Sequence, residues 1–99
     1  MPFLDPDDFL PTGLDIRTLL VNRPSATFFM RARGDALTDT GIRDGDLLVV
    51  DRSVVPLIGE IAVVAEDGQL AIRRLKDAEH EGAEVWGAVM YSITAHCRR

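Results

Sequence analysis

The sequence predicts a mainly β domain of short, twisted strands and hairpins, with one short helix near its start. Three observations carry this. Asp67-Gly68 stands between two apolar segments, the strongest short-range signal for a hairpin. Leu47 to Val50 is a short apolar run that follows the Asp44-Gly45 turn signal, as a buried strand does. Val85 to Ala95 alternates between apolar and mixed positions, the period of a strand with two different faces.

Taken in order, residues 1–13 contain Pro2, Pro6, Pro11 and Gly13. Proline suppresses helix and Asp5, Asp7 and Asp8 favour solvent, so the stretch reads as an extended acidic arm. The single domain is expected to occupy residues 14–99. Thr12 followed by Asp15 is a weak capping-box signal, and Ile16, Leu19 and Leu20 have helical spacing. Residues 14–21 are expected to form a short helix that lays its apolar side on the sheet, stopped by Pro24.

Thr27 to Arg33 alternates, with Phe28, Met30 and Ala32 on one face and Phe29, Arg31 and Arg33 on the other. Gly34-Asp35 ends it. A strand that stops at Gly-Asp before small residues is suited to exposing one side chain. Pro56 and Gly59 mark the next turn, Glu60 to Ala65 reads as a strand, and Gln69 to Leu75 returns as its hairpin partner. Residues 76–84 are polar and predict a loop. In the final strand Val85, Gly87, Val89, Tyr91, Ile93 and Ala95 fall on one face, and Trp86, Ala88, Met90, Ser92 and Thr94 on the other. Trp86 and Met90 suit either core packing or an interface.

With 99 residues and 46% hydrophobic content, the chain can bury a core as one domain, which argues against disorder. The net charge of −5 is uneven. Residues 1–15 hold four Asp and no cation, residues 76–84 hold four acids and one Lys, and residues 16–75 balance eight Arg against eight acids. An acidic chain without a basic stripe is a poor nucleic-acid binder. The single cysteine, Cys97, excludes an internal disulfide and fits a reducing compartment. The N-terminus lacks the basic start and apolar core of a signal peptide, and no apolar run approaches the ~20 residues that span a bilayer. A cytoplasmic protein without membrane contact is expected. His80 and His96 lack ligand spacing, and Asp35, Asp39, Asp44 and Asp46 read as turn and cap residues, so no metal or other cofactor is implied.

The stretch from Pro24 to Asp51 resembles the LexA/UmuD self-cleaving peptidases, and its Pro24-Ser-Ala-Thr-Phe-Phe29 lead-in the UmuD branch in particular. The family motif is Gly-Asp-Ser-Met, then Gly-Ile, then Asp-Gly-Asp-Leu. Here the line reads Gly34-Asp35-Ala36-Leu37, Gly41-Ile42 and Asp44-Gly45-Asp46-Leu47. The resemblance runs from about residue 14 to residue 75. It implies the LexA/UmuD C-terminal-domain fold, here with a shortened C-terminal region that leaves sheet completeness open.

In the family, serine attacks and a neutral lysine on the strand after the Asp-Gly hairpin takes its proton. The resemblance places Ala36 at the nucleophile position, and 37 residues further on Arg73 stands at the base position. Alanine has no nucleophile, and arginine keeps its proton at any working pH. Both dyad positions are thus degenerate. Leu37 for the family's methionine points the same way, so the resemblance implies a natural non-catalytic member and not an enzyme.

The arm carries neither the Cys-Gly nor the Ala-Gly bond that the family cleaves, which makes the chain more like processed UmuD than its precursor. At 99 residues, the chain is expected to carry this domain without the helix-turn-helix module of LexA-type repressors. Two functions are implied. One is a dimeric interaction subunit that binds a Y-family polymerase in SOS translesion synthesis, its interface using Trp86, Val89, Met90, Tyr91 and Ile93, with the RecA filament as a further partner. The other is a decoy that heterodimerises with an intact LexA- or UmuD-type protein and modulates its self-cleavage.

Overall fold

The computed structural model describes residues 15–34, 39–76 and 84–97. Five strands form one antiparallel sheet: β1 (Thr27–Arg31), β2 (Leu47–Asp51), β3 (Ile61–Glu66), β4 (Gln69–Arg74) and β5 (Glu84–Ile93). Their order is β1-β2-β5-β3-β4, so the last strand in sequence lies in the middle and β1 and β4 form the edges. The mainly β expectation holds.

The β3–β4 hairpin turns as its dipeptide dictates. Asp67 and Gly68 both take positive φ, +51° and +78°, as a two-residue type I′ turn requires. Aspartate tolerates this region better than most side chains, and glycine enters it without steric cost.

Sheet register explains the burial. Leu48, Val50 and Val63 point to one face, where Ala32 and Ile42 join them and Met30, Ile61, Ile72, Trp86 and Val89 pack around. Ala62, Val64 and Leu75 are buried on the other face with Ala71 against them. The middle of the sheet is therefore apolar on both sides, which is why Leu47–Val50 and Ile61–Val64 read as runs instead of alternations.

Strict alternation fails in β5. The register passes from Val49↔Tyr91 to Val50↔Val89, leaving Met90 unopposed, and from Val63↔Gly87 to Val64↔Val85, leaving Trp86 unopposed. Each extra residue is a β-bulge that locally resets which face a side chain meets. Trp86 and Val89, assigned to opposite faces by period two, consequently pack against the same core group.

The helix also departs from expectation. α1 spans only Ile16–Leu20, and Asp15 itself is the cap, its carboxylate accepting from the Arg17 N–H at 3.0 Å. Thr12 lies outside the described residues, as do the rest of the arm and most of the polar loop. No helix residue is buried, and Ile16 is 62% exposed. Little more than one turn gives too short a stripe to cover a sheet face.

Two carboxylates are buried at the ends of β2. Asp46 Oδ2 accepts from the Arg43 N–H at 2.8 Å. Asp51 Oδ1 accepts from the Ser53 hydroxyl at 2.6 Å and the Ser53 N–H at 2.8 Å, with Arg23 3.8 Å from its other oxygen. Hydrogen bonding to the Arg43 backbone, helped by the Thr94 side chain and the charges of Arg43 and His96, holds Asp46 below the ordinary carboxylate value against the opposing effect of burial. For Asp51 the Ser53 hydroxyl leads, then the Ser53 N–H and the Arg23 charge.

A folded-state value below the unfolded one adds stability above the unfolded pKa of ~3.9, and this is lost as pH falls through the folded value. The contribution of these two groups to the urea midpoint is therefore expected to be constant from about pH 8 to 5 and to fall below about pH 4. Asp51→Asn is expected to shrink that acid limb. An unchanged limb in both Asp51→Asn and Asp46→Asn would show that neither group is linked to folding.

Candidate functional site

The sheet's two edges border one cleft. Met30, Arg31, Ala32, Arg33 and Gly34 line one side, Leu70, Ala71, Ile72 and Arg73 the other, and Leu48 and Val63 the floor, around a volume of about 370 Å³. In a flat sheet these edges would stand ~19 Å apart, at ~4.8 Å per strand spacing. Sharing one cleft requires the sheet to coil, and the two bulges of β5 increase local twist at its centre.

Local chemistry fixes the β1 side. Beyond the strand, the Ala32 N–H donates to the Asp46 carbonyl at 2.9 Å and Ala32 accepts from the Gly45 N–H at 2.7 Å. Gly34 then turns away with φ of +117°, a conformation open to glycine, and its N–H donates to Asp44 Oδ1 at 2.9 Å. Asp44 and Asp46 thus act as turn and cap residues, as the sequence suggested. Arg31 Nη1 donates to the Gly45 carbonyl at 2.9 Å. Asp35, Ala36 and Leu37 lie outside the described residues.

On the opposite side Arg73 is exposed on β4. Its Nη2 lies 3.1 Å from Glu66 Oε2, and its Nη1 donates to the Ile72 carbonyl at 3.1 Å. Both partners face solvent in part, so the pair adds at most about 1 kcal/mol. Among the described residues that line it, the cleft has no hydroxyl, thiol, imidazole or amine. Its floor is apolar and its rim carries arginine charge, a combination suited to holding a chain segment.

The residues singled out in β5 are divided between core and surface. Trp86 is half-buried, packs edge-to-face on Phe28 with centroids 5.2 Å apart, and carries the Arg52 guanidinium 4.3 Å above its ring. Arg52 Nε also donates to the Trp86 carbonyl at 3.0 Å. Val89 packs on the core and Met90 is half-buried at its bulge. Tyr91 and Ile93 are exposed. His96 is exposed and His80 lies outside the described residues. Among the described residues no three of His, Cys, Asp or Glu cluster as metal ligands, and no helix is long and apolar enough to cross a membrane.

Sequence reasoning missed two arginines. Arg52 reaches Trp86 and Arg74 reaches Asp39 across more than thirty residues of sequence, and no local spacing signals such contacts.

The Peptidase S24-like family profile matches residues 5–86. The chain belongs to this family. Among curated relatives, it is 41% identical over 68 residues to Protein ImpA of Salmonella typhimurium, covering 69% of this chain and 47% of that protein. It is 39% identical over 69 residues to Protein SamA of Salmonella typhimurium strain LT2, covering 70% of this chain and 49% of SamA. It is 32% identical over 102 residues to Protein MucA of Escherichia coli, covering 84% of this chain and 70% of MucA. The chain thus spans about half the length of ImpA and SamA. The coiled antiparallel sheet is consistent with the S24 fold, and the S24 match takes in both edges of the cleft.

Proposed function

We propose that this S24 chain is a non-catalytic, UmuD-type interaction subunit of the SOS response. In this reading it works as a cytoplasmic dimer that binds a Y-family polymerase during translesion synthesis. The observation that supports it is the Arg73–Glu66 pair on the cleft, N to O 3.1 Å. In this reading Arg73, which keeps its proton, occupies the position of the family's base, and Ala36 that of the nucleophile. A cleft so furnished binds without cutting. Tyr91 and Ile93, exposed on β5, supply apolar surface for the dimer, alongside half-buried Met90 and the Trp86 and Val89 side chains that pack on the core.

The test is affinity capture of the tagged chain from its own cells before and after DNA damage. A polymerase enriched after damage is the expected result. Recovery of an intact LexA- or UmuD-type protein, without polymerase, would replace this reading with that of a decoy, and a RecA filament in the same eluate would mark the site of assembly. Light scattering on the purified chain should give twice the 10.9 kDa monomer mass. Monomer mass at tens of micromolar would remove the dimer.

A further inference from the structure

A second hollow lies apart from the cleft. Ser25, Ala26, Phe28, Arg52 and Ser53 line it, around about 390 Å³, and it shares no lining residue with the cleft. The Arg52 N–H donates to the Ala26 carbonyl at 2.9 Å, which ties two parts of its wall together. The Arg52 side chain is fixed twice more. Its guanidinium lies 4.3 Å above the Trp86 ring, and its Nε donates to the Trp86 carbonyl at 3.0 Å. Phe28 is 43% exposed, packs edge-to-face on the same ring and gives the hollow an apolar wall.

Stacking and the Nε bond leave the two terminal nitrogens of Arg52. Among the described residues these nitrogens have no hydrogen-bond partner, and Arg52 pairs with no carboxylate. A guanidinium held on an aromatic face has already given up most of the rotamer freedom that binding would cost it. Two other charges stand near. Asp51 is buried and accepts from the Ser53 hydroxyl and N–H, and Arg23 lies 3.8 Å from its second oxygen. Because Arg23 offsets Asp51, Arg52 leaves the surroundings with one unit of positive charge. That matches a carboxylate, whereas a phosphate ester, at about −1.5 to −2, would be only partly compensated. The Ser53 hydroxyl is spent on Asp51, and the Ser25 hydroxyl remains as a second donor beside the fork.

We propose that this hollow is a second docking site, which takes an acidic side chain of a partner protein with an apolar residue beside it. The Arg52 fork meets the carboxylate in two-bond geometry, the Ser25 hydroxyl adds a donor, and the apolar neighbour lies on Phe28. The chain's net charge of −5 opposes approach to nucleic acid and to anionic membranes, so protein is the source of the carboxylate. Since its residues are separate from those of the cleft, the site stands whether or not the cleft holds a chain segment.

Two capped, dye-labelled tripeptides test it on the full chain, one reading Leu-Glu-Phe and the other Leu-Gln-Phe. Affinity is read from the anisotropy of the label. Trp86 is the chain's one tryptophan and lies under Arg52, so a change in its emission on adding unlabelled peptide places the contact. The Glu peptide is expected to bind at roughly millimolar or tighter, and to move the Trp86 emission. The Gln peptide should bind about fivefold to tenfold more weakly, having lost the charge-assisted bonds.

Arg52→Gln should weaken the Glu peptide by a similar factor and leave the Gln peptide unchanged. Arg52→Lys should fall between, because an ammonium keeps the charge and loses the fork. Ser25 is exposed, so Ser25→Ala keeps the fold and decides the matter if Arg52→Gln does not fold; it should weaken the Glu peptide about threefold. Arg43→Gln removes the same charge from an exposed turn elsewhere and should change nothing. Equal affinity for the two peptides, or an equal loss in Arg43→Gln, would reduce the contact to general attraction and overturn the proposal. So would inorganic phosphate displacing the Glu peptide at a lower concentration than acetate does, which would mark a phosphate site instead.

Discussion

The double variant Ala36→Ser/Arg73→Lys is expected to cleave, slowly and faster with rising pH, an added peptide carrying a Cys-Gly or Ala-Gly bond. The unaltered chain and each single variant are expected to leave it intact. On the proposed assignment, Ala36→Ser alone supplies a hydroxyl without a base, since arginine keeps its proton, and Arg73→Lys alone supplies a base with nothing to activate. The structure adds a term that composition could not. Glu66 lies 3.1 Å from the Arg73 guanidinium and would stabilise a protonated lysine in its place.

Burial would help a lysine lose its proton, but this position is half exposed and beside a carboxylate, so little drives the rebuilt base to its neutral form. Rates near neutral pH should therefore be small. Adding Glu66→Gln should raise them, about tenfold for each unit by which the lysine pKa falls. Fragment appearance is read by mass spectrometry. Equal cleavage by Ala36→Ser alone would reveal another base and remove Arg73 from the assignment. Silence from every variant would mean the cleft no longer orients a scissile bond.

The second large effect is structural. Gly87 sits in β5 between the two bulges, and a Cβ built there lies 2.9 Å from Val50 Cγ1, 3.3 Å from the Asp51 carbonyl oxygen and 3.5 Å from the Arg52 Cα. Val50 is fully buried, so its methyl has no free space to enter, and the other two contacts are main chain. Overpacking of this kind costs about 1–3 kcal/mol, a large part of the ~5–15 kcal/mol that holds a small domain folded. Gly87→Ala should lower the urea midpoint accordingly, and Gly87→Val should fold poorly or not at all. Because the clash is with one methyl, Val50→Ala should cost less in the Gly87→Ala background than in the natural chain. A Gly87→Ala midpoint within about 0.5 kcal/mol of the parent would show that β2 and β5 are free to separate there.

What was legible in the sequence follows from the range of the forces involved. The Asp67-Gly68 turn, the buried run of β2 and the turn at Gly34 beyond β1 are set by φ preferences and by side-chain period, which act over a few residues. The bulges of β5 were hidden because Val85 to Ala95 keeps an apolar–mixed rhythm in its letters while the backbone breaks it at Trp86 and Met90. Only the register demanded by β2 on one side and β3 on the other reveals the break. Ile16 and Leu19 have helical spacing, but spacing cannot say whether a neighbour is there to cover them. Counting along a family motif drew attention to Arg73 as the proposed base position, and its engagement by Glu66 needed the β3–β4 register. The reach of Arg74 to the Asp39 carbonyl had no precursor in the letters at all.

The strand order has a consequence for how the chain reaches its native state. β1–β2 and β3–β4 are each built from neighbouring segments, but β2 and β3 do not pair with one another; both wait for β5. As the polypeptide emerges during synthesis, it can complete two small ladders, each with an apolar edge unpaired, and no more. Closing the sheet requires residues 84–93 to slide between them, a non-local event with a high loop-closure cost and a correspondingly slow rate. Until then the open edges of β2 and β3 are free to accept a strand from another molecule. The nascent protein is thus most exposed to strand exchange just before its keystone arrives, and a second copy or a close relative synthesised nearby is the neighbour best matched to fill the gap.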